Sequence, residues 1–195
     1  QVGRVGFRPE DFRTIPGHPL VYWWKPDFLH NYKAVPKLGE SFPGRAVQSL
    51  GNNTWLVRAV WEIPSSETIY TNSMKKDLNS YRWLPFSNGA TGLSWFEPAR
   101  QVVFWKHRAL WVKLQKSHKT GGSSFRLANE DCYTLMGVAF SMIGSSFTAR
   151  AHRYRSVFGN MGCSVFPEDI AKTLCLMNSS TAGYVLESLN TGVNF

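Results

Sequence analysis

An α+β fold with a mixed, mainly antiparallel β-core is what the 195-residue sequence predicts, and three stretches carry that reading. Val138–Ile143 and Phe147–Arg153 are short β-type runs on either side of Gly144-Ser145-Ser146, a turn-forming cluster, and together they read as a hairpin. Thr54–Ile63 (TWLVRAVWEI) has the Val, Trp and Ile content of a strand. Pro167-Glu168-Asp169 opens a helical pattern with acids in its first turn, and Asn178-Ser179-Ser180 divides it into a helical pair over 168–190.

Each remaining element is justified by local pattern. Pro9, Pro16, Pro19, Pro26, Pro36 and Pro43 break up the first 50 residues, leaving room for one short helix over Lys25–Tyr32 with Pro26 in its first turn. Val21–Trp24 (VYWW) reads as core. In Thr54–Ile63 the face carrying Trp55, Val57, Ala59, Trp61 and Ile63 is the expected inner one, with Arg58 pointing away. Ser65–Asn79 reads as a loop with one helical turn, and Trp83–Pro98 as a loop stapled to the core by Trp83, Phe86 and Trp95. Gln101–Trp105 and Ala109–Leu114 read as strands about a His107-Arg108 turn. Lys113–Arg126 follows as a cationic surface loop around Gly-Gly-Ser-Ser. Ile170, Leu174 and Met177 supply the apolar side of the first C-terminal helix, and Tyr184, Val185 and Leu189 that of the second.

Composition bounds the class. At 43% hydrophobic and 14% aromatic residues the chain can bury enough surface to offset the entropy of ordering, which excludes disorder and fits one domain over 1–195. No apolar run approaches the ~20 residues of a membrane span, and QVGRVGFRPEDF has no signal-peptide core, so a soluble cytoplasmic chain is expected. Cys132, Cys163 and Cys175 are odd in number and widely spaced, which suits free thiols in a reducing compartment.

The net charge of +9 is concentrated. Between Pro98 and Pro167 there are 10 Lys or Arg residues against Glu130 and Asp131, a net +8, while the rest of the chain has 12 against 11. Such a region neutralises phosphates and releases counterions, so a nucleic acid is the natural partner. On the second arm of the hairpin Thr148, Arg150, His152 and Tyr154 share one face and Ala149, Ala151, Arg153 and Arg155 the other, so charge falls on both sides of the strand.

Catalytic patterns are missing from the sequence. The cysteines and five histidines never fall at zinc-ligand spacing, Ser145 and Ser146 lie outside any nucleophile elbow, and no GxGxxG or GxxxxGK[ST] run is present. Glu130-Asp131 beside Cys132 reads as an acidic pair opening a helix or turn.

Several motifs in order resemble the C-terminal recognition region of large adenine-specific DNA methyltransferases of the BREX phage-defence PglX type and the related Eco57I-like restriction-modification enzymes. They are EDFRTIPGHPLVYWW, Gly51-Asn52-Asn53 with TWLVRAVWEI, RWLPFSNGATGLSWF, VAFSMIGSSFTARAHRY with GCSVFP, and LCLMNSSTAGYVLESLNTGVNF. The resemblance implies a target recognition domain, an excised part or stand-alone relative of such an enzyme, that binds double-stranded DNA sequence-specifically. A catalytic domain in cis or trans would hold S-adenosylmethionine, with no cofactor in this chain. Arg150, Arg153, Arg155, Lys116, Lys119 and Arg126 are the expected phosphate contacts, and Asn52, Asn53, Arg58, Ser145, Ser146 and His152 the expected base or groove contacts. The alternatives are an RNA or single-strand binding module using Trp and Tyr faces, a protein-interaction domain with a basic docking face, and an enzyme with an unrecognised site.

Overall fold

A computed structural model describes residues 10, 13, 15, 17–45, 53–89, 95–120, 127–141, 147–159 and 161–189, without the side chains of 53 and 115–120. Two four-stranded sheets form the centre. The first orders β1 (Val57–Ala59), β4 (Gln101–Phe104), β2 (Trp83–Ser87) and β7 (Val157–Phe158); the second orders β3 (Trp95–Phe96), β6 (Ala149–Ala151), β5 (Val138–Phe140) and β8 (Ser164–Val165). Among the described strand pairs β2 with β7 and β3 with β6 run parallel and the other four antiparallel, so the fold is α+β with mainly antiparallel pairing.

The two hairpin arms pair antiparallel, with Val138 opposite Ala151 and Phe140 opposite Ala149. Its turn, including Ser145 and Ser146, lies outside the described residues. Contrary to expectation both faces of its second arm are buried at Thr148, Ala149, Arg150 and His152. The polar side chains are satisfied internally, so their presence does not mark an outer face.

The C-terminal pair is α5 (Ile170–Met177) and α6 (Ser180–Leu189). The Asp169 carboxylate accepts from the Lys172 N–H at 2.9 Å and the Ser179 hydroxyl from the Ala182 N–H at 3.1 Å, so each helix starts on a side-chain cap. Leu174 and Met177 pack against Val138, Ala149 and Val165 of the second sheet. Helix α6 instead lays Val185 and Leu189 against α1 (Pro26–Ala34) and the buried Ile15, Val21 and Trp24. Within VYWW the expected core role falls to Val21 and Trp24, while Tyr22 and Trp23 face solvent.

Three expectations are overturned. Thr54–Ile63 is not one strand: Asn53–Leu56 forms a helical turn, α3, β1 keeps three residues, and Val60–Glu62 is a 3₁₀ turn. Leu56 turns inward and both Trp55 and Trp61 face solvent, the reverse of the expected faces. Trp83–Pro98 is not a loop, because Trp83–Ser87 is a wholly buried strand and Trp95–Phe96 an exposed edge strand. Most of Ala109–Leu114 is helical, from Leu110 onward, within α4 (Lys106–Thr120), which is kinked at 107–109 and also replaces the first part of the loop expected over Lys113–Arg126. The His107-Arg108 turn does occur: His107, Arg108 and Ala109 have φ of 54°, 55° and 57°, a left-handed passage out of β4. Ala109 and Val112 then point inward at helical spacing.

One side chain ties the layers together. The Asn178 amide donates to the Ala149 carbonyl and accepts from the Ala149 N–H, both at 2.9 Å, joining the end of α5 to β6. Replacing it, Asn178→Ala, is expected to cost about 1–3 kcal/mol in urea unfolding; an unchanged midpoint and slope would show that water replaces the amide without loss.

Candidate nucleic-acid interface

The cations of the hairpin divide into internal and external ones. Arg150 is 0% exposed, and its Nε lies 3.0 Å from the Glu97 carboxylate while Nη1 donates to Ser141 and Thr148 hydroxyls at 3.0 and 3.2 Å. Those hydroxyls are 3.0 Å apart, so the guanidinium sits in a polar pocket inside the second sheet. It is not placed to meet a phosphate. His152 is 3% exposed and likewise corrects its assignment as a groove contact.

Burial pushes the His152 imidazole down to about 4; the Leu135 carbonyl opposes this shift and the Arg150 charge reinforces it. The Leu135 carbonyl can only accept, so Nδ1 carries the hydrogen across 3.3 Å; Nε2 lies 3.0 Å from the Ser164 hydroxyl, whose one hydrogen also has the Gly162 carbonyl as an acceptor at 3.1 Å. The ring is therefore neutral at pH 7 and structural.

Arg155 is also committed. Its guanidinium donates to the carbonyls of Thr134, Ser73 and Lys76 at 3.0, 3.1 and 2.8 Å, pinning the 71–76 loop. It lines a cleft of about 580 Å³ whose wall mixes Lys76 and Arg108 with Asp77, Glu130 and Asp131. Glu130 is ion-paired with Lys113. That cleft has no single sign of charge and is a poor match for a polyanion.

Arg153 remains exposed, its guanidinium 5.5 Å from the Tyr154 ring centre. With Phe96, Met136 and Asn72 it edges a cleft of about 530 Å³ that has His152 at its base. Arg58 is half-buried in a different place, where its Nη1 donates to the carbonyls of Thr54 and Val57. There it lines a third cleft, about 330 Å³, with Trp55, Arg82, Trp83, Phe104 and Trp111. Arg82 lies 5.3 Å from the Phe104 ring centre and 3.5 Å from Glu67. The sequence pattern does not mark this aromatic and cationic cleft as a site, because strand alternation places Trp55 on the inner face and nothing local distinguishes Arg82.

Lys116 and Lys119 fall within α4, with their side chains outside the described residues; Asn53 begins α3, again without its side chain. Asn52, Arg126, Ser145 and Ser146 lie outside the described residues altogether. Arg150, His152 and Arg153 are thus neighbours on one strand and its continuation, whereas Arg58 belongs to the separate aromatic cleft. Among the described residues no three His, Cys, Asp or Glu side chains gather as a metal site, and no helix is long and apolar enough to cross a membrane. Cys132, Cys163 and Cys175 form no disulfide among the described residues, and burial raises the Cys132 and Cys163 thiols, which keeps both protonated near neutral pH.

No family model matches this sequence. It is similar to the adenine-specific methyltransferase BrxX of Escherichia coli O9:H4 (strain HS), 24% identical over 191 residues. The match covers 95% of this chain and 15% of BrxX, so the chain spans a small part of that relative.

Two outcomes follow for the internal groups. Arg150→Met is expected to destabilise by about 3–5 kcal/mol, because Glu97 is left buried without its counter-charge, and adding Glu97→Leu recovers most of the loss. Unimpaired urea unfolding in the single variant, together with weaker DNA binding, would make Arg150 a contact after all. For His152, the unfolded chain binds the proton below about 6.5 and the folded chain only below about 4. Stability therefore rises with pH between these values and is flat above them, and about 3 kcal/mol is lost on acidification across the window. His152→Gln should remove that part of the slope in unfolding measured from pH 4 to 7.

Proposed function

We propose that this chain is a DNA-binding segment of an adenine-specific DNA methyltransferase system, serving as its target recognition domain in restriction-modification or phage defence. The observation that carries the reading is the similarity to BrxX along nearly the whole chain, at 24% identity over 191 residues. Physical support comes from the excess of cations and from arginines beside exposed aromatic side chains at two of the three clefts. Arg153 is exposed at the first of these, with Arg100, Lys106 and Arg108 as further solvent-facing cations of the basic segment. These, with Lys116, Lys119 and Arg126, are the phosphate contacts of the proposal, and Asn52, Asn53, Ser145 and Ser146 its groove contacts.

In this reading the chain grips the duplex while a catalytic region, in cis or trans, extrudes the target adenine and holds S-adenosylmethionine. The work of this segment is binding and orientation. Its rigidity serves that role: Arg150 and Arg155 spend their donors inside the fold, which fixes the strand and loop that present Arg153.

Titration of a labelled duplex at several salt concentrations tests the proposal. Affinity is expected to fall steeply as salt rises, and Arg153→Ala to weaken binding and reduce the salt slope by about one. Binding that is absent at low salt, or indifferent to salt, would overturn the proposal.

A further inference from the structure

The cleft at the Trp83 end of the first sheet has more aromatic surface than a phosphate grip requires. Leu56 forms its buried base, and Trp83 and Phe104 meet edge to face at 5.4 Å to make a fixed wall. Trp55 on α3 and Trp111 on α4 complete it, yet they are 68% and 41% exposed and, among the described residues, stack on no other ring. Indole faces left to water beside two arginines form a surface that lacks its complement.

We propose that this cleft takes one unstacked nucleobase of bound DNA, sandwiched by Trp55 and Trp111, with the adjoining phosphate on Arg58 and Arg82. The inference rests on the DNA-binding reading above and adds a base subsite to it. Size, charge and rigidity select this occupant. About 330 Å³ admits a base with its sugar but not the width of a duplex. Two guanidinium groups repel a cation, so a quaternary ammonium is disfavoured, while a neutral planar base followed by an anion is matched at both ends. The Thr54 and Val57 carbonyls hold the Arg58 guanidinium in place without cancelling its charge. Arg82 already lies against Phe104 and is only partly offset by the half-buried Glu67 at 3.5 Å, since Arg82 itself is exposed. Every base has a π-face, so the cleft recognises an unstacked base as a class and does not choose among the four.

The test uses the 195-residue chain with two DNAs of equal length, one fully paired and one bearing a single extrahelical 2-aminopurine. The bulged DNA is expected to bind about ten-fold more tightly, with its 2-aminopurine emission quenched by the indoles. Trp55→Ala and Trp111→Ala, on different helices and both solvent-facing, should each abolish the preference and the quenching while fully paired DNA binds within two-fold of the parent. Arg153→Ala should weaken both DNAs alike. Equal affinity for the two DNAs, or a preference that survives both tryptophan variants, would overturn the base subsite while leaving duplex binding intact. Failure to bind either DNA would overturn the DNA-binding reading together with it.

Discussion

The fold depends on a cation removed from water. Arg150 occupies the centre of the second sheet, and its carboxylate partner Glu97 follows directly on the edge strand β3. Backbone and side chain act together here, since the Glu97 N–H also donates to the Ala151 carbonyl at 3.0 Å. A buried charge without its partner is far more costly than the pair, so the pairing of β3 alongside β6 is locked to the ionic contact. That lock explains how a two-residue strand persists at a sheet edge while presenting Trp95 and Phe96 to solvent. Backbone bonds alone would hold so short an edge weakly.

The same pair changes the meaning of the charge distribution. Glu97 stands one residue outside the basic segment, so a count made along the chain separates two groups that neutralise each other in space. Lys113 is similarly offset by Glu130, and Arg155 is turned toward three carbonyls. Surface potential therefore comes from fewer side chains than the sequence suggests, Arg100, Lys106, Arg108 and Arg153 among them. A field from dispersed cations is screened within about 10 Å at ordinary salt, which is why the aromatic surroundings of Arg58, Arg82 and Arg153 matter as much as the charge itself.

What could be read from the sequence was what is decided locally. The C-terminal helices announce themselves through Asp169 and Ser179, whose caps act within three residues, and the antiparallel pairing of β5 and β6 through two β-type runs close together in the chain. Non-local choices were hidden. Ala109–Leu114 satisfies a period of two as well as a helical one, and only the packing of Ala109 and Val112 beneath Trp105 decides between them. The left-handed path through residues 107–109 contains no glycine to signal it. In Thr54–Ile63 strand propensity is correct for three residues and then yields to turns on both sides, which exchanges the buried and exposed faces. Of the candidate contacts, Arg153 is left exposed because β6 ends at Ala151, short of the Phe147–Arg153 run that the alternation suggests, whereas Arg150 could not be excluded until a carboxylate 53 residues earlier was seen beside it.

That inversion of faces is also the origin of the aromatic cleft. Had Thr54–Ile63 continued as a strand, Trp55 would lie in the core and Arg58 on the opposite surface. The helical turn at Asn53–Leu56 swings Leu56 inward and leaves Trp55 outside, on the same cleft as Arg58. Helix α4, entering through its left-handed turn, brings Trp111 to that cleft too. Two departures from local propensity thus converge on one place, and both keep large indole surfaces in water that simpler secondary structure would have buried. Conflicts between local preference and global arrangement concentrate where a protein meets something else, and here the two conflicts share a single pocket.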